Sequence, residues 1–156
     1  MDLRFLALGA ILPDLIDLPI GVAMWSTFQT PRLAAHSILF GAIAMVAVLI
    51  LTRRGPRRKR WMLLAVGLLI HVALDAMWQH PETLWWPFLG TEFSATEFAT
   101  YGAYVGDLVR DPLMWAGELA GFAYLAVLWK TSGLRDIDAR RRLASSGVVD
   151  APIERG

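Results

Sequence analysis

Residues 53–60 read Arg53-Arg54-Gly55-Pro56-Arg57-Arg58-Lys59-Arg60, and they stand between two long apolar runs, residues 33–52 and 61–79. Six cations in eight positions cannot join a buried core. They suit a short cytoplasmic turn between two membrane-spanning helices, because positive charge is retained on the inner side. Two further segments, residues 3–24 and 112–129, also approach the roughly 20 apolar residues that a span needs. The pattern predicts an all-α, polytopic membrane protein with about four transmembrane helices: a transmembrane domain over 1–135 and a polar cytoplasmic tail over 136–156.

Composition agrees. Of 156 residues, 56% are hydrophobic and the mean hydropathy is +0.46, above the usual level of a soluble domain. The net charge of +1 matters less than its distribution. Beyond Lys130 the chain adds Arg135, Arg140, Arg141 and Arg142, so the tail joins residues 53–60 on the cytoplasmic side, and four spans then put both termini inside. Residues 25–32 and 80–111 become the outer connections. The longer one carries Glu82, Glu92, Glu97, Asp107 and Asp111 against Arg110 alone. The expected location is the plasma (inner) membrane, with the first apolar segment retained as a helix because no small-residue cleavage site follows it. Both basic tracts are explained by orientation, and nothing calls for a nucleic-acid partner.

In the long outer connection, Ser94-Ala95-Thr96-Glu97 has the form of a capping box, which predicts a short interfacial helix within residues 94–111 that does not cross the bilayer. Trp85-Trp86-Pro87-Phe88 before it reads either as an interfacial aromatic belt or as a wall of a site. Gly102 with Gly106 and Gly117 with Gly121 are spaced for close helix packing.

Ionisable groups inside spans are costly, so each is a functional candidate: Asp14, Asp17, His36, His71, Asp75 and Glu118. At about 1.5 Å per residue, all six fall within roughly 15 Å of the outer helix ends. His71 and Asp75 are four apart and Asp14 and Asp17 three apart, so each pair can share a helix face. With no cysteine in the chain, a metal must be held by imidazole, carboxylate or backbone oxygen. Imidazole with carboxylate suits zinc foremost, or manganese or iron where oxygen dominates. The expected ligands are His36, His71 and Asp75, with Asp14 as ligand or bridge and Asp17 or Glu118 as catalytic base or second-site ligand.

The same residues carry a resemblance to the membrane-bound metal-dependent hydrolases of bacteria and archaea, the YdjM-type inner-membrane proteins. Gly9-Ala10-Ile11-Leu12-Pro13-Asp14 resembles their leucine-proline-aspartate start, followed by His36-Ser37, His71-x-x-x-Asp75 and Trp86-Pro87-Phe88 in matching order. Two positions differ from the family's pattern. The second aspartate, Asp17, stands three rather than two residues after the first, and Pro31-Arg32-Leu33 replaces a histidine-arginine pair upstream of His36. The resemblance implies a metal-dependent hydrolase.

The leading expectation is thus an integral membrane hydrolase that uses a divalent metal on an ester or phosphoester of a lipid or other amphiphile near the extracytoplasmic face. Two other classes stand beside it. A non-catalytic membrane subunit would use the polar or metal cluster structurally and pack against a second copy or a partner membrane protein. A proton or cation transporter would need ionisable residues in the cytoplasmic half as well, and the spans show none there.

Overall fold

The structure, a computed structural model, describes residues 2–148 and is all-helical over them. In chain order the helices are α1 (Leu3–Ala23), α2 (Trp25–Phe28), α3 (Ile38–Leu51), α4 (Pro56–Leu74), α5 (Pro81–Leu84), α6 (Tyr101–Leu108), α7 (Pro112–Thr131) and α8 (Ile137–Ser146). Single 3-10 turns at Ala34–His36 and Met77–Gln79 precede α3 and follow α4.

The centre is α1 lying parallel to α4, and two glycines let them approach to backbone contact. A Cβ on Gly9 would strike the Leu64 carbonyl, and one on Gly67 the Leu6 carbonyl. Small residues at such a crossing let packing and weak backbone contacts replace the hydrophobic drive that lipid does not supply. The four glycines expected to do this do not: Gly102, Gly106, Gly117 and Gly121 all face open space. Helix α3 returns antiparallel against α4, and Leu68, Val72 and Met77 form the buried core with Leu12, Phe40, Ala44 and Leu84 around it. Pro56 opens α4, where a missing N–H costs nothing, and Arg58 donates back to the carbonyls of Leu49 and Thr52, capping α3 across the turn.

Two expected spans are broken near one end. Instead of one helix over 33–52, the chain makes the Ala34–His36 turn and then starts α3, with Ser37 extended and its hydroxyl accepting from Phe40 N. Helix α4 likewise stops at Leu74 rather than continuing to 79, because Ala76 is in the left-handed region (φ 52°). Among the described residues, by length and composition alone, α1 and α7 are the two helices long and apolar enough to cross a membrane. Helix α3 is apolar but has 14 residues, and α4 begins with basic residues.

The expected interfacial helix is shorter than the reading from Ser94. Helix α6 has eight residues and is capped by Thr100, whose hydroxyl accepts from Ala103 N. Ser94 instead donates its hydroxyl to Glu82 Oε2 and its backbone N–H to Thr83 Oγ1, so it fastens the loop rather than starting a helix. The polar tail is not a plain extension either. Its residues 137–146 form α8, whose C-terminal carbonyls at Ala144 and Ser145 accept from Arg4, while Leu3 N donates to Gly147 O. Residues 149–156 of the expected tail lie outside the described residues.

Candidate metal centre

Everything at the site is organised around Asp17, which is almost wholly buried at 2% exposure. Its Oδ2 accepts from the backbone N–H groups of Leu33 and His36 at 2.8 and 3.2 Å, and its Oδ1 accepts from Ala35 N at 3.2 Å. A buried turn needs its N–H groups satisfied within the protein, and one carboxylate on α1 accepts from three of them, His36 N being shared with Leu33 O at 3.1 Å. The same Oδ2 lies 2.8 Å from His36 Nδ1. A carboxylate can only accept, so Nδ1 carries the proton and Nε2 is turned away from Asp17. Asp17 therefore holds the His36 ring in place. The role of catalytic base expected for it does not fit a carboxylate behind the histidine with both oxygens occupied by N–H donors.

On the other side of the ring, three ligand atoms converge. His36 Nε2 is 3.3 Å from Asp14 Oδ1 and 3.3 Å from His71 Nε2, and His71 Nε2 is 3.7 Å from the same Asp14 oxygen. Asp14 comes from α1 one turn before Asp17, His36 from the turn before α3, and His71 from the last turn of α4. A tetrahedral zinc with bonds of about 2.0–2.1 Å sets its ligands about 3.3–3.4 Å apart, which the three separations approach. The donor chemistry fits as well: a bare imidazole Nε2 facing a carboxylate oxygen is two acceptors with nothing between them, and a cation resolves that. His36 is fully buried, and Asp14, its side chain 55% exposed, forms the open side. Asp14, His36 and His71 can thus hold a metal ion.

The two remaining expected residues are placed differently. Asp75 Oδ2 lies 3.9 Å from His36 Nε2 but 2.6 Å from Arg32 Nε, so its close partner is a guanidinium. It stands outside the group of three. Helix α4 has ended before it, although its N–H still bonds to His71 O at 2.9 Å. Glu118 is not brought to the site: it sits on α7, a helix with no buried residue, and no hydrogen bond or ion pair ties it to the cluster among the described residues. The expected role of base lapses for Glu118 too.

Arg32 is the residue that reading the sequence missed. Its signal was present, since it is the lone cation of residues 25–32, which were expected to form an outer connection. Its backbone N–H is fixed to Thr30 Oγ1 at 3.2 Å. An aromatic group reaches Arg32 through Tyr104: Trp25 meets Tyr101 and Tyr104 at ring distances of 5.4 and 5.6 Å and donates Nε1 to Phe98 O. Thr96 ties the same loop to Gln29 O. The Tyr104 phenol is pushed up, first by burial, with Arg32 pulling the other way. His80 is held below its ordinary value, first by burial and then by the Arg32 guanidinium. Glu82 is lowered chiefly by the Ser94 hydroxyl. Trp86 of the aromatic motif stacks on Phe93, while Trp85 and Phe88 are exposed.

No curated protein and no solved structure matches the chain. A family model does, over residues 1–140, and its description is YdjM inner membrane protein. That match takes in α1, α3, α4 and every residue of the cluster, and so the chain belongs to the YdjM inner membrane protein family.

Proposed function

We propose that this membrane protein is a metal-dependent hydrolase acting on an ester or phosphoester of a lipid or other amphiphile, with the ion held by Asp14, His36 and His71. The observation that carries the reading is the set of three ligand separations, 3.3, 3.3 and 3.7 Å, around a histidine whose other nitrogen is fixed by a carboxylate. A carboxylate behind a metal-binding imidazole fixes its tautomer and raises its basicity. When bound, a divalent ion such as zinc supplies the Lewis acidity that polarises a carbonyl or phosphoryl oxygen. His36 and His71 orient, Asp17 holds the turn, and Asp14 on the open side is placed to take up a proton. The assay is headgroup release from short-chain phospholipids by zinc- or manganese-loaded protein in detergent. Turnover that requires added ion, stops with a chelator and disappears in His71→Ala is expected. Metal-loaded protein that cleaves neither esters nor phosphoesters would contradict hydrolysis.

A second reading has its own support. A proton on His36 Nε2 would also bridge to Asp14 at 3.3 Å, giving an imidazolium between two carboxylates as structural glue for a non-catalytic subunit. The apolar surface of α7, with Leu119, Phe122 and Leu125 exposed, would then meet lipid, a second copy or a partner membrane protein.

The topology belongs to the same proposal: four spans, α1, α3, α4 and α7, with both termini and residues 53–60 cytoplasmic. One end of the molecule gathers Asp2, Arg4, Arg60 and α8, with Asp2 bridging to both arginines, and the cluster lies at the opposite end. Helix α3, about 21 Å long, is short for the hydrocarbon, but the turn that precedes it is satisfied internally by Asp17. Single cysteines read this out in a chain that has none. A cysteine at Glu92 should label in intact spheroplasts and one at Gly55 only after permeabilisation; the reverse pattern would invert the orientation.

A further inference from the structure

A second polar element stands directly beside the three ligands. Asp75 Oδ2 lies between them, 2.6 Å from Arg32 Nε and 3.9 Å from His36 Nε2, so a single carboxylate separates the guanidinium from the cluster. Arg32 is held through Nε by Asp75 and through its backbone by Thr30, and its side chain keeps 23% exposure. No hydrogen bond engages its two terminal amino groups among the described residues. A guanidinium anchored at Nε with both terminal nitrogens free is a preset fork, and its geometry matches two oxygens of a phosphate or carboxylate. Of the two anions, a phosphoryl group has oxygens enough to meet the fork and still present another toward Asp14, His36 and His71.

We infer that Arg32, positioned by Asp75, binds the phosphoryl group of the substrate, so that the molecule acted on is a phosphate ester rather than a neutral carboxylic ester. This rests on the proposed hydrolase reading and narrows it. It also gives Asp75 work apart from metal ligation: it aims the guanidinium. Tyr104 lies close enough to Arg32 to interact with it electrostatically, and it packs with Trp25 and Tyr101, so this aromatic group offers apolar surface near the guanidinium to the remainder of an amphiphile.

The test is calorimetric titration of the detergent-purified full chain with three probes: inorganic phosphate, dihexanoyl phosphatidic acid and dihexanoyl glycerol. Each is run on zinc-loaded and on chelator-treated protein, and zinc content is measured in parallel. Wild type should bind both phosphate-bearing probes but not the glycerol, and tighter binding of phosphatidic acid than of inorganic phosphate would identify a lipid headgroup as the source. Arg32→Gln should weaken phosphate binding by at least about tenfold in both metal states while zinc content stays at the wild-type level. Asp75→Asn should also weaken phosphate and leave zinc in place. Should Arg32→Gln fail to fold, Arg32→Lys keeps the charge and loses the fork, and weaker phosphate binding is again expected. Phosphate affinity unchanged in these arginine variants, or wild type that binds the glycerol as tightly as the phosphatidic acid, would overturn the inference. Failure of the metal reading looks different, namely wild type without zinc whose phosphate binding still depends on Arg32.

Discussion

Asp17→Ala is expected to leave little folded protein. The substitution removes one buried carboxylate and takes the acceptor from Leu33 N, Ala35 N and His36 Nδ1 together, while His36 N keeps its bond to Leu33 O. A buried donor left unpaired costs about 1–3 kcal/mol, so three of them leave a loss of about 3 kcal/mol or more, a large share of the usual stability of a domain. Asp17→Asn is the informative companion. Its amide oxygen can replace Oδ2 and keep three of the four bonds, while its NH2 group confronts Ala35 N–H. It should therefore fold with a smaller loss, about 1–3 kcal/mol, and bind metal about 10–100-fold more weakly, because the histidine has lost its anionic support. Thermal melting of the two variants in the same detergent checks this. Equal melting temperatures for wild type and Asp17→Ala would mean that the turn is held by something else.

That role for Asp17 could not be read from spacing. Being three residues after Asp14, it was expected to share a face with it and to serve the chemistry, and it does lie on the same side of α1. Its partners are backbone N–H groups of a turn 16 to 19 residues away, and an apolar run such as 33–52 gives no hint that a 3-10 turn interrupts it. Asp14, His36 and His71 were legible for the opposite reason. Each is one of the few ionisable residues in its apolar segment, and counting from the segment's end placed all three at a similar level, so convergence could be anticipated. Glu118 passed the same test and failed in the fold, because depth along a helix does not say which way α7 turns its face or whether it packs on the others. Helical character and the bounds of α1 and α7 were plain from hydropathy, whereas those of α3 and α4 were not. The close α1–α4 crossing was not legible, since Gly9 and Gly67 are far apart in sequence and only the approach of each to the other helix's backbone reveals their purpose, whereas the regularly spaced glycine pairs drew attention and proved open.

The central claim is a cation held by Asp14, His36 and His71, and the most direct measurement is metal content of gently purified full-length protein beside its His71→Ala variant. Wild type should hold about one divalent ion per chain and melt about 5–10 °C higher with zinc or manganese in excess than with a chelator, since an ion bound only by the folded state raises its stability. His71→Ala should hold none and respond to neither addition. Wild type free of stoichiometric metal, with a melting temperature unmoved by zinc, manganese or chelator, would contradict the account and leave the protonated His36 between Asp14 and Asp17 as the reading of the cluster.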